Sequence, residues 1–250
     1  MRRAVALTLL ALLAASPAAS AHTPAFPDAK RLAAARHYVA HRHCVCSFAV
    51  IDTTGRLRGF APHRVYVTAS VVKAMLLVSY LRKIGKRPPN AAERGALGPM
   101  ITVSDNRRAS AVYRRVGDAA LRRLARRAGM RRFSVFGDWG SAHFSAEDQA
   151  RFMLRFDRLV PKRNRSYARR LLSSIVHHQR WGFSRFSLKA GWKTFFKGGW
   201  RRTGRGRLVH EVALFQRGRR RFSLAVLTDG NPSMAYGTRT LRGVAKRLFR

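Results

Sequence analysis

The spacing of hydrophobic positions changes character twice along the chain. Leu32, Ala35, Tyr38 and Val39 recur at helical intervals and predict a helix over Lys30 to Ala40. Val45 to Ile51 is a short apolar run and reads as a strand. Thr53-Thr54-Gly55 then supplies a turn into a second short strand, Arg56 to Phe60, so a hairpin is expected. Ser70 to Leu81 is strongly apolar and lacks Gly and Pro, which predicts a buried helix ended by Gly85 and Pro88-Pro89. From Ala91 to Val176 the period is helical with polar breaks. Asp118 to Ala128 is one helix there. Ser145 to Leu159 is another, with Ser145 as N-cap and Asp148 completing a variant capping box, and Ser166 to His177 is a third. Beyond these, Trp192 to Trp200, Arg207 to Gln216 and Arg221 to Thr228 read as strands. Gly204-Arg205-Gly206 and Arg217-Gly218 turn the chain between them, and Tyr236 to Phe249 closes it as a helix.

Strands thus lie near both chain ends and helices fill the middle. The expected fold is α/β of the α+β kind, an antiparallel sheet flanked by terminal helices with an inserted all-helical lobe. The sheet lobe takes residues 30–66 and 187–250, and the helical lobe takes 67–186. There is no internal repeat. Residues 1–21 have the marks of a secretory signal: Arg2 and Arg3, the apolar stretch Ala4 to Ala15, and Ala19-Ser20-Ala21 as a small-x-small cleavage site. Secretion beyond the cytoplasm is expected, with an uncleaved anchor as the alternative. Residues 22–29 read as a linker. No apolar run reaches the ~18 residues of a membrane span, so no transmembrane segment is expected after cleavage.

Composition sharpens this picture. A 250-residue chain that is 46% hydrophobic is not a wholly disordered one. Its 51 Lys and Arg against 11 Asp and Glu give a charge of +40, and cleavage of the signal would remove only Arg2 and Arg3. Only nine of the basic residues are Lys. One reading is adhesion to an anionic polymer such as a cell wall; the other is a solvated basic surface produced by a GC-rich genome. Nucleic acid is not expected as a partner, because the signal argues for export and neither zinc-finger spacing nor an aromatic RNA-binding motif is present. Leu241 to Arg250 is basic and amphipathic, which fits either a docked terminal helix or, more weakly, a membrane-active one.

Three short motifs carry chemistry. Ser70-Val71-Val72-Lys73 puts a hydroxyl and an amine at i and i+3 on one helix face, where they can touch. Its apolar flanks desolvate the Lys and favour the neutral amine, a usable base beside a nucleophile. Ser104-Asp105-Asn106 offers a second hydroxyl and an amide, although Ser-Asp-Asn also suits a helix N-cap. Lys197-Gly198-Gly199 puts two glycines in a strand, the mark of a bulge or of close approach by another backbone. His41, His43, Cys44 and Cys46 are close in sequence, but four ligands this close rarely surround one ion. They read instead as two buried thiols with neighbouring histidines, a direct Cys44–Cys46 bridge being strained. No metal and no cofactor are expected.

In order and separation these motifs resemble those of the class A β-lactamase and penicillin-binding-protein superfamily of serine hydrolases, over nearly the whole mature chain. Ala190-Gly191-Trp192 and Ala225-Val226-Leu227-Thr228 add to the likeness. The resemblance implies that Ser70 is acylated and that Lys73 is its general base. Ser104 would pass the proton to the leaving nitrogen, Asn106 would orient substrate and Lys73, and Lys197 would attract a substrate carboxylate. The backbone N–H groups of Ser70 and Trp200 would form the oxyanion hole. Substrates would be β-lactams or D-alanyl peptides or amides of the cell wall.

Two departures stand against the family pattern. Gly198 replaces the usual Ser or Thr, and Lys193-Thr194, followed by Phe195, does not supply the missing triplet. No E-x-x-L-N loop lies between Asn106 and Lys197, so the Glu that would activate the deacylating water is missing. Asp138, in Phe136-Gly137-Asp138-Trp139-Gly140, is the substitute base, or else a turn-forming Asp. Slow deacylation is therefore expected. The alternative function is a non-catalytic, basic wall-binding protein on a decayed hydrolase scaffold.

Overall fold

The computed structural model describes residues 26–187 and 191–249. The expected signal peptide, Ala190 and the start of the linker lie outside the described residues. Asp28 opens the first helix, α1 (Ala29–Ala40), by accepting the Arg31 N–H at 2.8 Å. The hairpin β1 (Val45–Asp52) and β2 (Leu57–Phe60) follows, then the short strand β3 (Val65–Val67). A 3-10 turn over Ala69–Val72 leads into α2 (Lys73–Ile84), which Gly85 ends at φ 70°. The helical lobe continues through α3 (Ala91–Thr102) and α4 (Asn106–Ala128), the latter kinked at Gly117, where φ is 69°. Strand β4 (His143–Ser145), α5 (Ala146–Leu159) and α6 (Arg165–Ser173) complete it. The short helix α7 (Ser184–Ser187) precedes the long strands β5 (Lys193–Thr203), β6 (Gly206–Arg217) and β7 (Arg220–Asn231), and α8 (Met234–Phe249) closes the fold.

The fold is α+β, with one five-stranded antiparallel sheet in the order β2-β1-β7-β6-β5. The amino-terminal hairpin inserts beside the carboxy-terminal strand, with Phe48 opposite Val226 and Ala49 opposite Ala225. Helices α1 and α8 cover one face of the sheet, while α5 and the segment around Ser70 cover the other. Strands β1, β6 and β7 are therefore buried on both faces, which is why they read as apolar runs rather than as alternation. Every residue of α2 from Lys73 to Leu81 is buried, making it the axle of the helical lobe. Phe152 and Phe156 of α5 meet edge to face at 6.1 Å and are fully buried, each contributing roughly 2 kcal/mol by area.

The structure revises four expectations. The helix expected from Ser70 begins as a 3-10 turn, and the α-helix proper starts at Lys73. The helix expected to reach His177 stops at Ser173, because the Val176 N–H is taken by the Thr102 carbonyl at 3.0 Å. Strands β3 and β4 pair with each other outside the main sheet, and three residues are too few to show alternation. Cys44 and Cys46 are not two thiols but a disulfide. Cys44 sits in the bend before β1, and the Cα atoms are 5.5 Å apart, within ordinary bridging distance. Among the described residues no group of three His, Cys, Asp or Glu is placed to hold a metal.

Candidate active site

The chain reaches Ser70 along β3, and that strand is fastened from below by His210. The Thr228 N–H donates to His210 Nδ1 at 3.1 Å, so the ring proton sits on Nε2 and donates to the Val67 carbonyl at 3.0 Å. Burial pushes the imidazole down to about 4, which keeps it neutral and in that tautomer. Ala69, immediately before Ser70, is held at φ 44°, a left-handed conformation that a non-glycine residue adopts at a cost.

Ser104 has the same kind of strain, at φ 61°. It sits between α3 and α4, where Asp105 caps α4 by accepting the Arg108 N–H at 3.0 Å. That conformation turns both the carbonyl and the hydroxyl of Ser104 to one point. Lys73 Nζ fills it, donating to the Ser104 carbonyl, to Ser104 Oγ at 3.2 Å and to Asn106 Oδ1 at 2.6 Å. Lys197 approaches from β5 on the other side, donating to the same Ser104 Oγ at 3.1 Å and to its neighbour's carbonyl, Gly198 O, at 2.7 Å. Both amines are fully buried. Burial pulls Lys73 down to about 8, with Asp105 opposing. It pulls Lys197 further below its ordinary value, helped by the charge of Lys73 and opposed by Glu211.

The glycines of the third motif have steric reasons. A Cβ on Gly199 would stand 2.9 Å from the Val71 backbone nitrogen and 3.1 Å from that of Ser70. Close approach of two backbones, one reading of this motif, is the one observed. It brings the Ser70 N–H beside the edge strand β5, next to Trp200.

Four of the expected residues, Lys73, Ser104, Asn106 and Lys197, are therefore joined by hydrogen bonds, and the backbone of the fifth, Ser70, lies beside them against Gly199. Trp200 borders this group, with its ring centroid 6.0 Å from Lys197 Nζ. The expected direct contact between Ser70 and Lys73 is not made. The Ser70 hydroxyl has no hydrogen-bond partner among the described residues, and all three Lys73 donors go to Ser104 and Asn106. A buried ammonium takes the carbonyl and amide oxygens, which are stronger acceptors than a half-exposed hydroxyl. Asp138 lies apart. Its exposed carboxylate accepts the Gly140 N–H at 2.9 Å, capping a 3-10 turn over Trp139–Ser141, and no hydrogen bond joins it to Ser70 or Lys73.

Four further side chains shape the site. Trp139 puts its ring 5.0 Å from Lys73 Nζ and is itself held by the Ser110 hydroxyl at 3.1 Å. Trp181 packs on Gly198. His210 and Glu211 were not anticipated as part of the site, although they are the polar pair within the apolar strand Leu208 to Phe215. A titratable pair in such a run is the one signal that could have found them.

A family model described as the β-lactamase enzyme family matches residues 93–250. No match is found among the curated proteins. Among solved structures, a β-lactamase from Sphaerobacter thermophilus is similar at a TM-score of 0.73 and 16% identity, over 87% of this chain and 95% of that one. A class A β-lactamase representative from Bacteroides cellulosilyticus is similar at 0.75 and 13%, over 88% and 96%. A mutant of PBP-A, solved as its acyl-enzyme complex with penicillin G, is similar at 0.70 and 16%, over 88% and 94%.

Proposed function

Since the chain belongs to the β-lactamase enzyme family, we propose that it is an exported active-site-serine hydrolase, acylated at Ser70 by β-lactams or by D-alanyl peptides or amides. The observation that carries the proposal is the shared Ser104 hydroxyl, lying between the Lys73 and Lys197 amines beside a nucleophile whose backbone abuts Gly199. The acyl-enzyme of the similar PBP-A mutant supports acylation chemistry on this fold.

The steps follow from where the protons can go. Neutral Lys73, still bonded to Asn106, turns its lone pair to the Ser70 hydroxyl and removes its proton. Ser70 Oγ then attacks the carbonyl carbon, and the developing oxyanion is met by the N–H groups of Ser70 and Trp200. As the C–N bond breaks, the proton passes from Lys73 through Ser104 Oγ to the leaving nitrogen. Asn106 holds Lys73 in line, and the second cation, Lys197, fixes the Ser104 hydroxyl. Water finally cleaves the ester. Asp138 is the acid once expected to activate that water, but it is bound to Gly140, so deacylation is slow.

A base that must lose its proton first leaves a pH signature. The acylation rate should rise about tenfold per pH unit below neutrality, bend near pH 8, where Lys73 titrates, and level above it. Stopped-flow acylation between pH 5.5 and 10 reads this directly. A flat profile would remove Lys73 from the role.

The charge of +40 supports an anionic cell-wall polymer as a second partner, reached by secretion after cleavage behind Ala21. The competing reading, a non-catalytic wall-binding protein, draws on the unpartnered Ser70 hydroxyl and predicts that no reagent modifies Ser70.

A further inference from the structure

Strand β5 turns alternate residues to opposite faces. Lys197 and Gly199 face the helical lobe, one reaching Ser104 and the other lying against Ser70 and Val71. Gly198 and Trp200 face the other way, and there Trp181 closes the edge. A Cβ on Gly198 would stand 2.9 Å from Trp181 Cη2 and 3.0 Å from Cζ2. The Trp181 and Trp200 rings meet edge to face at 5.9 Å, and both are only partly buried.

Trp181 is held in place. Arg242 donates to its carbonyl at 3.2 Å. Two residues on, the Phe183 N–H donates to Glu211 Oε2 at 2.6 Å. Glu211 is fully buried and lies across the ladder from Gly198. Its Oε2 occupies the space of a side chain at Gly182, 1.8 Å from where a Cβ would be. Only glycine at 182 lets the carboxylate reach the Phe183 N–H.

We infer that Trp181, positioned by Glu211, makes the edge of β5 selective for acyl donors that present an uncharged, apolar group beside Gly198, and against donors that present a carboxylate there. The inference rests on the Ser70 hydrolase reading and narrows its substrate class. Position 198 offers no hydroxyl, and the ring fills the space where one would sit. Lys197 is buried, with its donors turned to Gly198 O and Ser104 Oγ. Arg201, three residues beyond Gly198, reaches away to the Gly140 carbonyl at 3.3 Å. A carboxylate at this edge would lose water against two indoles, whereas an apolar group gains contact area.

Benzylpenicillin and its methyl ester present the same ring with and without the charge. Their second-order acylation constants, read by intact mass at about 0.5 M salt, give a selectivity ratio free of long-range attraction by the basic surface. In the wild type the ester should react at least about tenfold faster than the acid. The double variant Trp181→Ala/Gly198→Ser, which empties the space and adds a hydroxyl, should bring the ratio to about one or reverse it. Glu211→Ala should lower the ratio, while Glu211→Gln, which keeps an oxygen for the Phe183 N–H, should preserve it. A variant that merely folds less well loses rate with both compounds and leaves the ratio unmoved. Equal reactivity in the wild type, or an unchanged ratio in the double variant, overturns the inference and leaves the hydrolase reading standing. No adduct with either compound overturns that reading, and the inference with it.

Discussion

Mixed with a β-lactam ester, the wild-type protein should open one equivalent of ring in a rapid phase, holding it as the acyl-enzyme, and then turn over ~10²- to 10⁴-fold more slowly, the contribution ordinarily made by a positioned general base. The reason lies in where its carboxylates are. The chain has 11 acidic residues against 51 basic ones, and the fold engages its acids elsewhere. Asp28, Asp105, Asp138 and Asp148 accept backbone N–H groups at the starts of helices or helical turns. Glu93, Glu147 and Asp157 are bound by arginines, Asp157 by both Arg169 and Arg221. Asp52 closes a turn, Asp229 accepts from Thr203 and Gly230, Asp118 accepts from Tyr113 and Gly137, and Glu211 holds Phe183. None hydrogen-bonds to Ser70, and each is already engaged by the contacts just named. Asp138→Asn should therefore change the slow phase by less than about twofold. Quench-flow with both proteins checks this. A slow phase that collapses in Asp138→Asn would make that residue the missing base, and a fast steady state with no burst would contradict the whole expectation.

Glu211→Gln should change how stability depends on pH. Burial pushes the Glu211 carboxyl up to about 7, with the Ser184 and Phe183 hydrogen bonds and Arg242 only partly offsetting it. In the unfolded chain the same group ionises near 4.5. The unfolded state therefore loses its proton first. The ionised carboxylate costs nothing below about pH 4.5, costs progressively more up to about pH 7, and costs a constant amount above that. The gap corresponds to ~3 kcal/mol. Gln has no charge to bury, so the stability of the variant relative to wild type should rise by roughly that amount between pH 4.5 and pH 8. His210 titrates in the same range but is present in both proteins, so it cancels in the difference. Urea unfolding of the pair at the two pH values reads the change. A difference independent of pH would mean that folding does not raise the Glu211 carboxyl.

What could be read from residues alone divides along physical lines. The long strands were legible because β1, β6 and β7 are covered on both faces and carry apolar runs through their middles. The capping box at Ser145 and Asp148 was legible because it is local, and it stands as expected, with the Asp148 N–H on Ser145 Oγ at 3.1 Å. The three motifs were legible because their spacing is chemical. What was hidden depends on contacts between distant segments. Lys73 was expected to touch Ser70, and instead Ser104, in an unusual backbone conformation, captures it. No local pattern foretells a positive φ at a serine. Trp139 and Trp181 reach Lys73 and Gly198 from loops whose paths are set by the packed lobes. The Cys44–Cys46 bridge was set aside because an i to i+2 pair in a strand is strained, but Cys44 lies just outside the strand.

The central claim is that Ser70 is the residue that becomes acylated. Wild type and Ser70→Ala, each incubated with benzylpenicillin and with its methyl ester, digested and mapped by mass, test it most directly. The account predicts one adduct, on the peptide containing Ser70, and none in Ser70→Ala. An unmodified wild type, or the same adduct in both proteins, would contradict it.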